Sequence, residues 1–319
     1  TVTLAIGMHR MAQHRAIVKK LAAVETLGCT TVICSDKTGT LTVNQMTARA
    51  LFFHGRRFVV SGEGYGSTGE IEAANGGSLP DLNAMLYPAV LANDSRIRDT
   101  QLIGDPTEGA LLALAAKGGI DIDRLTIARP RIAEIPFDSS HKFQASFHHV
   151  GDKVWVYVKG APDVLLLRAT RQLSPAGEVA LEEGVWIQEN ERLAAAAMRV
   201  LVLAVKIIPA ADFDPTTDLM SYATDLTLVG LVGIIDPPRP EARDAIALCG
   251  QAGIQVKMIT GDHRVTAAAI AAELGLRGEV LEGRELDAMG QQELAARIDH
   301  IAVFARVAPE HKVRIVKVL

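Results

Sequence analysis

The chain has few aromatic residues. Phe, Tyr and Trp make up 4% of its 319 residues, while hydrophobic residues make up 49%, so any core must be mainly aliphatic. Cysteine is also scarce, with Cys29, Cys34 and Cys249 alone. An odd, sparse set of thiols excludes a disulfide framework and suits a reducing compartment. Cys29 and Cys34 have no second pair to complete a zinc site and read as small core residues. Neither sign of charge dominates: 33 Lys and Arg stand against 37 Asp and Glu, a net charge of −4. That balance gives no general argument for nucleic-acid binding. No run reaches the ~18–20 apolar residues of a membrane span. The longest uncharged apolar stretch, Leu226 to Ile235, is strand-like and holds two glycines. Asn93-Asp94-Ser95 fits a glycosylation pattern, which carries no weight in a cytoplasmic chain.

The apolar start, Thr1 to Met8, runs into His9, Arg10, His14, Arg15, Lys19 and Lys20. A signal peptide has the opposite order. Basic residues after an apolar stretch suit the cytoplasmic end of a membrane helix. On these residues alone, an ordinary amphipathic helix is favoured.

What the chain does contain is a regular alternation of strand and helix patterns at both ends, with a different middle. Leu51-Phe52-Phe53, His54-Gly55 and Phe58-Val59-Val60 read as a β-hairpin. Gly62 to Pro80 reads as loop. Helical patterns follow at Asn83 to Leu91 and Thr107 to Ala116, then strand-like runs at Arg131 to Phe137, Phe143 to Val150 and Val154 to Val158. A helix from Glu182 to Met198 leads to a strand from Val200 to Ile207. Hairpins with interspersed helices indicate an α+β domain around an antiparallel sheet. From Leu228 to Ile235 onward, strands and helices alternate: helix Pro240 to Cys249, strand Val256 to Thr260, helix Thr266 to Leu274, helix Gln291 to Ile298, strand Ile301 to Ala305. This is the pattern of a doubly wound parallel sheet, which gains its first strand if Thr31 to Ser35 returns to join it. The expected architecture is a parallel-sheet domain split in sequence, with a domain of ~180 residues inserted after Asp36.

The most informative string is Asp36-Lys37-Thr38-Gly39-Thr40-Leu41-Thr42. It follows an apolar run that reads as a buried parallel strand. A carboxylate at the carboxyl end of such a strand sits at the mouth of an open α/β sheet. Small residues after it can surround a phosphate with backbone N–H groups, and Lys37 adds a fixed positive charge. Asp36 is placed as a nucleophile that accepts a phosphoryl group. Three later segments carry what phosphoryl transfer needs. Thr260-Gly261-Asp262 ends a strand and offers a hydroxyl and a backbone N–H. Asp236-Pro237-Pro238-Arg239 ends another. Arg306 and Lys312 supply cations after the next. A Lys above the acceptor and Mg²⁺ beneath it let two anions approach. Each segment alone reads as a cap, a Pro-rich turn or a solvated Lys; four at successive strand ends point to one site.

Together these segments resemble the type II P-type cation ATPases, calcium-pump-like, across almost the whole chain. Asp36 to Thr42 matches the family's phosphorylation motif letter for letter; Thr260 to Asp262 and Asp236 to Arg239 match two more of its motifs. The resemblance implies a haloacid-dehalogenase-like phosphorylation domain, α/β and doubly wound, split by an α+β nucleotide-binding domain. The expected division is 1–20 as remnant of a membrane or stalk helix, 21–43 and 229–319 as phosphorylation domain, and 44–228 as nucleotide-binding domain. Thr38 stands where related phosphatases carry an acid–base Asp, so a phosphoenzyme should persist. Mg²⁺ would be held in part by Asp36 and Thr38.

For the nucleotide domain, the resemblance implies that Lys159 and Gly160, in Lys159-Gly160-Ala161-Pro162, lie at the adenosine pocket. It implies that Phe137 stacks on adenine, that Lys142 approaches the nucleotide, that Glu108 contacts the adenine amino group and that Arg199 reaches the phosphates, with Asp236 and Arg306 also near the nucleotide. Read without the resemblance, Phe137 is core and Glu108 a helix N-terminal carboxylate. His141, Asp163 and Met198 depart from the family's usual Arg, Glu and Gly. The family's Gly-Asp-Gly-x-Asn-Asp segment, its actuator domain and its membrane helices do not occur in the sequence. The expectation is therefore part of a cation pump, calcium-like by overall resemblance, working at the cytoplasmic face of a membrane. Its partners would be ATP, the pump's own actuator and transmembrane domains, and a cation bound on the membrane helices, with no nucleic acid. By itself it is expected to hold ATP without turnover.

Overall fold

The computed structural model describes residues 2–14 and 16–319; the Thr1 end of the apolar start and Arg15 of the basic cluster lie outside the described residues. The chain forms two compact units. Unit 1 takes the chain up to Leu41 together with Pro238–Leu319, and unit 2 is Thr42–Pro237.

Unit 1 begins with α1 (Val2–Gln13), α2 (Leu21–Gly28) and β1 (Val32–Asp36). No helix among the described residues is long and apolar enough to cross a membrane.

Unit 2 follows with β2 (Thr47–Phe53), β3 (Arg56–Val60), β4 (Ile71–Ala73), α3 (Asn83–Leu91), β5 (Arg96–Arg98), β6 (Gln101–Ile103), α4 (Pro106–Lys117) and α5 (Ile122–Ala128). Next come β7 (Arg131–Ile135), β8 (Phe143–Val150), β9 (Lys153–Gly160), α6 (Pro162–Leu165), β10 (Ala169–Ser174), β11 (Gly177–Ala180), α7 (Glu183–Ala195), β12 (Arg199–Pro209) and β13 (Leu226–Ile235). Its main sheet has the order β4-β3-β2-β13-β12-β9-β8-β7, antiparallel throughout, with β10 added in parallel beside the start of β13. Strand side chains alternate between faces, and here both faces are covered. Leu51, Phe53, Tyr157 and Leu203 pack with α3 and α4 in one core. Ala50, Phe52, Val156 and Val158 pack with Trp186 and Leu193 of α7 in another. The same alternation sends Lys159 to the Tyr157 side, where α4 lies.

The remainder of unit 1 is α8 (Pro240–Gln251), β14 (Gln255–Ile259), α9 (Arg264–Glu273), β15 (Glu279–Glu282), α10 (Gly283–Ala288), α11 (Gln291–Arg297), β16 (Ile301–Ala305) and α12 (Pro309–Val318). β1 returns to pair with β14 in a parallel sheet of order β1-β14-β16-β15. Ile259, Leu281, Phe304 and Ile315 fill its core.

Two sequence expectations are corrected. The run Leu228 to Ile235, expected to open the parallel alternation, lies in the antiparallel sheet of unit 2 between β2 and β12. Every residue of β13 is buried. A continuous apolar run is the mark of a parallel strand because parallel strands are covered on both faces; a central antiparallel strand between two cores acquires the same pattern. Gly62 to Pro80, expected as loop, includes β4, which pairs with β3.

Candidate functional site

In unit 1 the chemistry-bearing residues gather where the parallel strands end. β1 terminates at Asp36. Thr38 is still extended, and the chain turns at Gly39, whose φ of +75° is a left-handed conformation that glycine adopts without strain. Arg239 N–H donates to the Leu41 carbonyl (2.8 Å), fixing the outgoing chain. The loops after β14 and β16 are laced together: Thr260 N–H donates to Phe304 O (2.9 Å), Val307 N–H to Thr260 O (3.2 Å) and Arg306 N–H to Asp262 O (3.0 Å). Thr260 Oγ1 accepts from Asp262 N–H (3.1 Å). Lys37, buried, donates to Asp262 Oδ2 (2.6 Å).

Lys312, on the first turns of α12, donates to Asp36 Oδ2 (2.7 Å). The two side chains are 45% and 50% exposed, so this pair is open to solvent and to a ligand. The His311 ring accepts from Ala308 N–H (3.0 Å) and bonds Asp287 Oδ1 (2.8 Å), which secures the start of that helix. Arg306, at φ +52°, turns its guanidinium against the His263 ring. Thus Asp36, Lys37, Thr38, Thr260, Gly261, Asp262, Arg306 and Lys312 share the carboxyl end of one sheet.

Asp236 belongs to unit 2. It closes β13 in unit 2, and its carboxylate accepts from Thr42 Oγ1 (2.6 Å) and from Asn44 N–H (2.8 Å). It ties together the two passages of chain at the border of unit 2.

Among the described residues, no group of three or more His, Cys, Asp or Glu is disposed to hold a metal ion. Mg²⁺, however, commonly takes one or two protein carboxylates and completes its shell with water and phosphate oxygens. The Asp36 carboxylate and Thr38 carbonyl are hard oxygen donors of that kind, so the donor set fits a shared site of this type.

Unit 2 holds a second polar cluster. α4 starts cleanly because Asp105 caps it, accepting from Thr107 N–H (2.7 Å) and Glu108 N–H (3.2 Å), with Pro106 in the first turn. Glu108 then faces inward. Its carboxylate receives Lys159 Nζ, Ser95 Oγ (2.7 Å) and Asp94 N–H (3.1 Å). The pair is enclosed, with side-chain exposures of 8% for Lys159 and 14% for Glu108. Burial pulls the Lys159 ammonium below the usual lysine range, opposed by the charge and hydrogen bond of Glu108. Arg199 donates to Thr107 Oγ1 (2.9 Å), one residue from Glu108. Gly160 is required here: a Cβ would stand 2.5 Å from Phe143 Cβ and 2.8 Å from the Lys142 carbonyl.

Phe137 contradicts its bland reading as core. It is 62% exposed, on the loop after β7. Lys142 donates to Asp163 Oδ2 (2.8 Å) at the surface. Sequence reasoning missed four members of this cluster. Gln144 and Asp94 meet at 2.6 Å, and Asn93 Nδ2 donates to the Glu108 carbonyl (3.1 Å), alongside Ser95. Gln144 Oε1 is buried, with no hydrogen-bond partner among the described residues. The available signal was the polar series Gln144, Ser146, His148 at alternate positions of a strand whose other residues, apart from His149, are apolar.

Comparison with known proteins bears on both units. The family model described as "P-type ATPase, cytoplasmic domain N" matches residues 81–241, half of the chain. A cation-transporting ATPase, pma1, of Synechocystis is 44% identical over all of this chain and 37% of its own length. A calcium-transporting ATPase of Bacillus subtilis is 43% identical over 99% of this chain and 37% of its own length. Calcium-transporting ATPase 1 of Bacillus cereus is 41% identical over the whole chain and 35% of its own length. The chain thus spans little more than a third of the length of these relatives. Its resemblance is to the cytoplasmic, nucleotide-binding region of such pumps, and the chain belongs to the P-type cation-transporting ATPase family.

Proposed function

We propose that this chain is the ATP-binding and phosphoryl-accepting part of a cation pump, with unit 1 a haloacid-dehalogenase-like phosphorylation domain and unit 2 the nucleotide-binding domain. The carrying observation is Asp36 at the end of β1, solvent-accessible, with Lys312 Nζ at 2.7 Å and the Thr260–Asp262 loop held at the end of the neighbouring strand.

In this reading a carboxylate oxygen of Asp36 attacks the γ-phosphorus of ATP. The bond from that phosphorus to the β,γ-bridging oxygen breaks, ADP leaves with the electron pair, and Asp36 becomes an acyl phosphate. No proton has to move, since the nucleophile is the carboxylate itself. Lys312 offsets the charge of the two approaching anions. Thr260 Oγ1 already accepts from Asp262 N–H, so its hydroxyl hydrogen is the part left to donate to a phosphoryl oxygen. Lys37 positions Asp262 through its 2.6 Å bond. Mg²⁺, on Asp36 and the Thr38 carbonyl, supplies further charge neutralisation when bound. Thr38 offers no carboxylate base for hydrolysis, so the acyl phosphate persists until another part of the pump directs water to it.

In unit 2 the exposed ring of Phe137 is a platform for adenine, and Lys142, Lys159, Gly160, Glu108 and Arg199 belong to the nucleotide pocket. The unpartnered Gln144 Oε1 is a buried acceptor suited to an amino group. The pump would lie in a membrane with these units on its cytoplasmic face. The transported ion is proposed as a cation, calcium being the one named for the Bacillus relatives.

In the full pump, Asp36→Asn should abolish acid-stable, hydroxylamine-labile labelling from γ-labelled ATP while nucleotide binding survives. Equal labelling of both proteins sinks the assignment. The match of domain N alone to half of the chain favours a second reading, in which the 319 residues by themselves bind ATP without turnover. Phe137→Ala in this chain should weaken ATP binding about tenfold, from the roughly 0.5–1.5 kcal/mol that aromatic stacking adds to burial. Unchanged affinity in a folded variant would return Phe137 to an ordinary surface residue.

A further inference from the structure

We propose that unit 2 carries a second ligand site, a cavity of about 950 Å³ beside the segment Asn93–Ser95, that takes an anionic amphiphile and tunes the Glu108–Lys159 pocket. The volume falls in the range of small-molecule sites, about 300–1,000 Å³. None of Lys159, Phe137 or Arg199 lines the cavity.

Its chemistry is two-sided. Leu91, Ile97, Leu112, Ile120 and Ile122 give it an apolar wall, and Ile127 extends that wall to the rim, 81% exposed. An isolated exposed Ile is ordinary; an exposed Ile at the lip of an apolar cavity provides a continuation for an alkyl or aryl body. The charges divide into spent and available. Arg131 is committed to Asp94 (2.6 Å), to Glu134 and to the Leu91 and Asn93 carbonyls (3.1 and 2.7 Å). Arg129 is committed to the Tyr157 hydroxyl and lies over the Tyr87 ring. Asp121 caps α5 through Arg124 N–H (2.9 Å). Arg96 and Arg98, on β5, line the cavity, and their side chains make no hydrogen bond or ion pair with any described residue. Against them stands the exposed Asp123. Two uncommitted guanidiniums beside an apolar wall select a ligand with a carboxylate, sulfonate or phosphate head and an apolar body.

The link to the other pocket runs through three consecutive residues. Asn93, Asp94 and Ser95 line the cavity. The same three hold Glu108: Asn93 Nδ2 bonds its carbonyl (3.1 Å), while Asp94 N–H (3.1 Å) and Ser95 Oγ (2.7 Å) bond its carboxylate. A ligand that shifts this segment alters the partner of Lys159. This regulatory part rests on the nucleotide-pocket reading above; the ligand site itself does not.

Octyl phosphate, below its micellar concentration, is the probe. Titrated into the 319-residue chain, it should bind saturably at one site, with chemical-shift changes at Ile97, Ile122 and the His148 ring. The double variant Arg96→Gln/Arg98→Gln should weaken this at least tenfold, and octyl glucoside should bind at least tenfold more weakly than octyl phosphate. Thr126→Trp, an exposed position of α5 that lines the cavity, should block binding without disturbing the core. Absence of saturable binding overturns the site, as does binding that is indifferent to the head group and to both variants. Inorganic phosphate binding as tightly as octyl phosphate would overturn the amphiphile assignment. Saturating octyl phosphate should change ATP affinity at least threefold in the parent chain and not in the double variant. An unchanged ATP affinity with octyl phosphate bound overturns the coupling, and failure of ATP to bind at all removes the nucleotide reading while the octyl phosphate result stands.

Discussion

Each unit places a lysine against a carboxylate at the heart of its cluster, yet the two pairs are physically different. Lys312 and Asp36 in unit 1 are about half exposed, whereas Lys159 and Glu108 in unit 2 are almost wholly enclosed. In water-like surroundings an ion pair gains little, because solvent screens it and each partner is well hydrated alone. Out of water, each charge has lost its hydration and depends on its partner. The exposed pair can therefore separate at low cost, leaving the Asp36 carboxylate open to solvent. The buried pair cannot, and it is held in place by Ser95 and Asp94. What these residues can do is set by their surroundings more than by their type.

The contrast can be tested by truncating each pair. Glu108→Ala leaves an ammonium buried with no counter-charge, and should cost about 3–5 kcal/mol in urea unfolding. Lys312→Ala should cost no more than about 1 kcal/mol by the same measurement. If the two losses agree within that smaller figure, the distinction between the pairs is wrong.

Acid should sharpen the difference, because unit 2 also buries a neutral histidine. His148 Nδ1 faces the Arg129 carbonyl (2.8 Å), which can only accept, so Nδ1 carries the proton and Nε2 takes the Ser146 hydroxyl (2.9 Å). Burial, aided by the Arg131 and Arg129 charges, lowers its titration to about 4 from the usual 6.5. The unfolded chain takes up this proton first as pH falls. The contribution to stability is complete above pH 6.5 and is lost as pH falls from 6.5 to 4, with a magnitude of roughly 3 kcal/mol. Unfolding free energies measured from pH 7 to 4 should fall less steeply in His148→Gln than in the parent chain. Identical slopes would show that this ring is not held neutral.

The gathering of residues at the sheet end of unit 1 was largely legible. Asp36, Thr260 and Arg306 directly follow or end short apolar strands, and parallel strands deliver their carboxyl ends to one edge whatever the details of packing. Unit 2 was harder to read. Glu108, Lys159 and Arg199 were reached through resemblance, and Gln144, Asp94 and Ser95 were not reached at all. Their meeting depends on which face of β8 and β9 turns toward α4. With apolar cores on both faces of the sheet, the alternation of β8 marks a polar face but does not say that this face meets α4. The same double covering made β13 look like a strand of the parallel sheet, and the three-residue strand β4 lay below what a Gly-rich pattern reveals.

The sequence by itself determined local features: an Asp at a strand end, the glycine that lets the chain turn after it, the cap that starts α4, and a family resemblance along the chain. These depend on neighbours in sequence, whose spacing is covalently set. Tertiary structure alone decided which charges are hydrated and which are committed. Lys37 faces Asp262, 225 positions away, and Lys312 faces Asp36, 276 positions away. Asp236 is bound to Thr42 and Asn44, and Phe137 is left in solvent. Burial and long-range pairing arise from how whole strands and helices pack, and no local run of residues encodes them.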